Sequence, residues 1–110
     1  MIITTTENVS GNEIDKHLGT VIGNTIRARH VGKDIQAMFR TIMGGEIKEY
    51  TSMMAESREQ ALMRMKDRAD ELGADAVVGV RFQTSMILSG TAELLVYGTA
   101  VKFKKIRREL

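Results

Sequence analysis

Leu72-Gly73-Ala74-Asp75-Ala76-Val77-Val78-Gly79-Val80-Arg81-Phe82 marks the point where the period of this sequence changes. Upstream, over 46–72, the apolar side reads Ile47, Tyr50, Met54, Ala61, Met65, Ala69 and Leu72. Steps of three, four or seven residues place these side chains on one stripe of a 3.6-residue helix. Gly73 follows the last of them, where the left-handed conformation that ends many helices is easiest for glycine. Downstream, Ala76, Val78, Val80 and Phe82 alternate with Val77, Gly79, Arg81 and Gln83. That two-residue period predicts a strand with one apolar face.

Beyond Ser89-Gly90 lies a further apolar strand, 93–103. One of its faces reads Glu93, Leu95, Tyr97, Thr99, Val101, Phe103, and the other Ala92, Leu94, Val96, Gly98, Ala100, Lys102. Both are largely apolar, whereas an antiparallel strand with one wet face alternates with polar residues. The helices can cover one face. A second copy of the chain is the expected cover for the other, because an exposed apolar patch of that kind marks an interaction surface.

The N-terminal half is less regular. Residues 1–6 read as a short strand, 7–12 as a turn cluster, and 13–16 as a helical turn or loop. Residues 18–29 read as a strand interrupted by Gly19 and Gly23. Without a G-x-G-x-x-G pattern or a following Lys-Ser or Lys-Thr, those glycines point to a bulge or to close packing rather than to a phosphate loop. A first helix is expected over 33–43, on the stripe Ile35, Met38, Phe39, Ile42, with Gly44-Gly45 as the corner into the long helix. The order is β-β-α-α-β-β. It predicts an α+β fold in which a long helix packs on one face of an antiparallel sheet of about four strands.

Composition narrows the function. At 110 residues with 43% apolar and 27% charged side chains, the chain is one ordinary globular domain, taken as 1–103 with a basic tail, 104–110. The pI of about 9.1 comes from that tail. It holds four basic and one acidic side chain and leaves 12 Lys plus Arg against 13 Asp plus Glu in the body. A near-neutral body with five aromatic residues does not resemble a nucleic-acid binder. No apolar run reaches the roughly 20 residues of a membrane span. The opening Met1-Ile2-Ile3-Thr4-Thr5-Thr6 lacks the basic start and apolar stretch of a signal peptide, so the expected compartment is the cytoplasm.

The chemistry is sparse. The chain contains no cysteine, which removes disulfides, thiolate metal sites and cysteine nucleophiles. No G-x-S-x-G occurs. The carboxylates Glu56, Glu59, Asp67, Asp70 and Glu71 interleave with Arg58, Arg64, Lys66 and Arg68, the pattern of a solvated, ion-paired helix face. The metal candidates are His17, with Asp15 nearby, and His30, with Asp34; neither spacing is a recognised closed site. Met38, Met54 and Met65 lie on helical apolar stripes, as core methionines do.

Several blocks carry a resemblance. Leu18-Gly19-Thr20-Val21-Ile22-Gly23, the Gly44-Gly45-Glu46 corner, Ala61-Leu62-Met63-Arg64-Met65, 72–82 and Tyr97-Gly98-Thr99-Ala100-Val101 resemble, in order and spacing, the YbjQ-like family of small bacterial and archaeal proteins. The resemblance implies an α+β subunit related to dodecin-type folds, assembly into homopentamers, and the label of heavy-metal binding, with no catalytic or ligand residues to carry over. Two functional classes follow. One is a non-enzymatic, ring-forming homo-oligomer that takes a small ligand or ion at subunit junctions and needs no cofactor. The alternative is an enzyme of unknown reaction with a site between subunits. In either case the ligand candidates are Arg81, Gln83 and Tyr97.

Overall fold

The computed structural model describes residues 1–28, 48–88 and 91–105. Its elements are β1 (Ile2–Ile3), β2 (Ile14–Ala28), α1 (Lys48–Glu71), β3 (Ala76–Leu88) and β4 (Thr91–Phe103). The four strands form one sheet in the order β1-β3-β4-β2. The expected helix over 33–43, the Gly44-Gly45 corner and His30 fall outside the described residues.

The α+β class and the four strands agree with the reading of the sequence, but the sheet is mixed rather than antiparallel. β3 and β4 form an antiparallel hairpin, β2 pairs antiparallel to β4, and β1 enters parallel to β3. The N-terminal segment then continues along β3. The Thr4 amide donates to the Val77 carbonyl, and the Val80 and Gly79 amides donate to the carbonyls of Thr4 and Thr6. Residues 13–16, expected as a helical turn or loop, supply the start of β2 from Ile14. An edge strand tolerates the polar run Asp15-Lys16-His17, and charge there protects the edge from unwanted pairing.

Helix α1 ends as Gly73 dictates. Gly73 adopts φ +73°; its amide donates to Asp70 O at 3.0 Å, and the Ala74 amide donates to Ala69 O at 3.1 Å. This pair of bonds is the Schellman closure. Asp75 then fastens the chain to the end of β4: its amide donates to Val101 O and its carboxylate accepts from the Phe103 amide, both at 2.8 Å.

The buried stripe of α1 is Ser57, Ala61, Met65 and Ala69, each at most 1% exposed. The expected members Ala61, Met65 and Ala69 are there and Met54 is half-buried, whereas Leu72, at the cap, is 47% exposed. Ser57 belongs to the stripe although it is polar, and its carbonyl accepts the buried Thr25 hydroxyl at 3.4 Å. The small side chains of Ser57, Ala61 and Ala69 let α1 lie close to β2. A Cβ placed on Gly23 would stand 2.0 Å from Ala61 O and 2.5 Å from Met65 N. The helix-side core is completed by Val21, Val77, Val80, Leu94, Val96 and Ala100.

Four register shifts break the strict alternation: Ile14/Lys16 and His17/Gly19 in β2, and Val78/Arg81 and Met86/Leu88 in β3. Two of them bear on the site, the one between His17 and Gly19 and the one between Val78 and Arg81, around Gly79 at φ +62°. The extra residue at Gly79 turns Val77 and Val80 to the same side. The single apolar face expected from Ala76, Val78, Val80 and Phe82 is therefore split. Val80 joins the helix-side core, while Ala76 and Val78 form a second cluster with Val101 on the opposite face, covered by Val9, Ile14 and Phe103. Phe82 lies beyond the cover of α1, 45% exposed.

Gly23→Ala is expected to destabilise the fold by about 2 kcal/mol or more, because the added methyl meets backbone atoms of α1 that cannot swing aside. Gly98→Ala is expected to cost less, since its nearest contacts, Val77 Cγ1 at 2.7 Å and the Val78 carbonyl and Val80 Cγ2 at 3.0 Å, are longer than those at Gly23. Denaturant midpoints of the two variants check the order.

Candidate functional site

The face of the sheet away from α1 divides into two zones. Its upper zone follows directly from strand register. Ile22, Tyr97 and Arg81 lie in one row across β2, β4 and β3; Asn24, Leu95 and Gln83 form the next; Ile26, Glu93 and Ser85 the third. Ile26 is 56% and Tyr97 36% exposed, with Ile22 at 38% between them. This open apolar surface interrupted by polar side chains carries all three ligand candidates. Arg81 and Tyr97 are direct cross-strand partners and Gln83 stands one row on.

Arg81 is already engaged. Its Nη1 donates to the Thr5 carbonyl at 2.9 Å and to its own neighbour's, Val80 O, at 2.8 Å. The guanidinium thus ties the N-terminal segment to β3. Asn24 Nδ2 donates to the Glu93 carboxylate at 3.2 Å, and the Asn24 carbonyl accepts from Arg64 of α1 at 2.6 Å. The row is braced from both sides of the sheet.

The lower zone is a cleft of about 450 Å³ lined by Glu7, Asn8, Ile14, His17, Val78, Gly79 and Thr99. The two bulges make it. His17 precedes the shift in β2, Gly79 is the inserted residue of β3, and Thr99 lies between them on β4. Bulges re-aim side chains and spread a ladder, which is why they gather at sites. The loop 4–8 closes one side. It is held by the Thr6 hydroxyl on the Asn8 carbonyl at 2.5 Å, by the Thr4–Thr6 hydroxyl pair at 2.8 Å, and by Arg81 on Thr5. His17, named from the sequence as a metal candidate, is exposed on this cleft; Glu7, Asn8, Gly79 and Thr99 were not singled out. The one sequence signal for them is Gly79 within Val78-Gly79-Val80, since an isolated glycine in a strand marks a bulge.

The family model described as "Putative heavy-metal-binding" matches residues 1–104. A UPF0145 protein of Thermosipho africanus is 60% identical over 105 residues, 96% of this chain and 97% of that one. A UPF0145 protein of Archaeoglobus fulgidus is 58% identical over 104 residues, 94% and 96% of the two chains. Among solved structures, a protein of unknown function from Pediococcus pentosaceus, assigned to the DUF74 family, superposes with a TM-score of 0.64. It is 19% identical and the match covers 94% of this chain and 98% of that one, a likeness of fold.

The donors among the described residues do not fit a heavy-metal centre. Cysteine is missing from the sequence, and among the described residues no three His, Asp or Glu side chains gather to hold an ion. His17 has only Glu7 as a second ionisable donor in its cleft. Met65 is core and Met54 half-buried. Soft ions need thiolate or several imidazoles. Calorimetric titration with zinc, copper and cadmium is expected to show no saturable one-per-subunit site of submicromolar affinity. Such a site, lost on replacing His17 or His30, would contradict the donor inventory.

Proposed function

This chain belongs to the YbjQ-like, UPF0145 family, and we propose that it works as a non-enzymatic homo-oligomer, a closed ring of five copies, that takes a small ligand or ion where subunits meet. The observation that carries the proposal is the surface a single chain leaves open. One chain exposes 8278 Å², against about 6,100 Å² for a compact monomer of this mass. Its radius of gyration is 18.5 Å, against about 13 Å for a globule of this length. The single described helix covers one face of β2 and β4, and on the other face Ile22, Ile26 and Tyr97 are exposed with Leu95 half-buried between them.

A neighbouring subunit is the natural cover. In a ring each copy presents one surface to a different surface of the next, so the polar groups of the open face, Gln83, Asn24 and Glu93 among them, come to lie at junctions. The five-fold count follows the family resemblance. No helix among the described residues is long and apolar enough to cross a membrane.

Parity decides which substitutions test assembly. Val96 is fully buried beneath α1, so a charge there breaks the fold, with or without partners. Leu95 and Ile22 stand on the open face. Wild-type protein at micromolar concentration is expected to sediment as a single multimer. Ile22→Glu and Leu95→Glu are expected to disperse it, since burying an unpaired charge costs several kcal/mol, on the order of 3–5. Circular dichroism of Ile22→Glu should remain that of a folded α+β chain. A stable wild-type monomer under these conditions overturns the proposal.

A further inference from the structure

The cleft under the two bulges has a chemistry of its own. Its floor is apolar, from Val78 at 5% exposure and the half-buried Ile14. Its rim carries the Glu7 carboxylate, the Asn8 amide, the His17 imidazole and the Thr99 hydroxyl. Among the described residues no lysine or arginine lines it. A volume of about 450 Å³ lies within the range of small-molecule pockets, which combine apolar walls with a few convergent polar groups. Gly79 adds room: the space where its Cβ would sit has no atom within 4 Å.

We infer that this cleft binds a small organic cation, a primary amine on a short apolar body. The ammonium meets Glu7, with the Asn8 carbonyl oxygen and the Thr99 hydroxyl as further acceptors. The body lies on Ile14 and Val78. An anionic ligand would face the Glu7 charge without a fixed cation to offset it, because the rim's other ionisable group is a single imidazole. A neutral ligand would forgo the charge-assisted bond, which is the stronger kind. The loop that presents Glu7 is set beforehand by the Thr6–Asn8 bond and by the Arg81–Thr5 bond, so little ordering remains to be done on binding.

This reading goes beyond the proposed function, whose ligand lies where subunits meet, and is independent of the ring. Every lining residue belongs to one chain, so the cleft survives in the dispersed Ile22→Glu variant. The probes are phenethylamine, 2-phenylethanol and phenylacetate, which share a body and differ in charge. They are titrated into isotope-labelled wild type, with amide shifts of His17, Gly79 and Thr99 as the readout. Phenethylamine is expected to give saturable shifts at these amides. Phenylethanol should bind more weakly and phenylacetate should give no saturable shift.

Glu7→Gln is expected to weaken the amine by about tenfold or more, because the amide oxygen still accepts but no longer carries the charge that strengthens the bond. Gly79→Asn should abolish binding: asparagine tolerates the left-handed backbone at this position while its side chain fills the cleft. Three results overturn the inference. These are saturation by phenylacetate at equal affinity, an amine affinity unchanged in Glu7→Gln, or no saturable shift with any probe. If the wild type proves monomeric but Glu7-dependent amine binding persists, the ring fails and the cleft stands.

Discussion

The backbone of β2 and the backbone of α1 touch. At Gly23 nothing larger than a hydrogen fits between the strand and the peptide groups of Ala61 and Met65. This contact sets the height of the helix over the sheet, and the buried stripe of Ser57, Ala61, Met65 and Ala69 is the set of residues that permits it. Bulk on the sheet side fills the remaining space: Leu94, Val96 and Val21 reach into the gap that the small helical residues leave. Interiors are close-packed, so a helix seated this low over β2 and β4 cannot also cover β3. The exposed Phe82 and Met86, the latter at 75%, are the visible consequence.

The second organising feature is the paired irregularity beside Thr99. One inserted residue at Gly79 moves Val80 to the helix side and leaves Val78 on the other, so both faces of the sheet carry a small core at their lower end. The second core is capped by Val9, which brings the loop 4–13 across the sheet and with it Glu7 and Asn8. The cleft and the lower core are therefore products of the same bulge. Arg81, two residues past Gly79, holds the loop in place through Thr5. The upper zone of that face has no such cover among the described residues, and its Ile22 and Tyr97 are exposed.

Much of this architecture is legible in the residues. The helix end at Gly73, the change to period two, and the two faces of residues 92–103 follow from spacing and from the conformational cost of a left-handed residue. The absence of any phosphate-loop pattern around Gly19 and Gly23 points to a bulge or close packing; which glycine does which is set by the structure, with Gly19 at a register shift and Gly23 against α1. Other features were hidden for physical reasons. The parallel entry of β1 depends on pairing with a strand more than seventy residues away, which no local pattern encodes. The start of β2 reads as loop because edge strands carry polar residues. Val80 was placed on the wrong face because alternation assumes an unbroken ladder. Arg81 and Gln83 share a strand face by period; that Tyr97 stands beside them follows from the register of β3 with β4. Their row partners in β2, and the loop residues of the cleft, are set by topology rather than by sequence neighbours.

The placement of β2 also governs the order in which this chain can fold. β3 and β4 are joined by a tight hairpin and can pair as soon as both exist. β2 pairs only with β4, from the other end of the chain: the Asn24–Glu93 bond closes a separation of 69 residues and the Glu13–Lys104 ion pair one of 91. Contacts of such range are made late, because the loop entropy precedes the reward. During synthesis β2, a strand of 15 residues, leaves the ribosome long before its partner. Helix α1 follows and can seat on β2, but the sheet beneath them closes only once β4 has been made. A product truncated before β4 would lose the strand that joins β2 to β3.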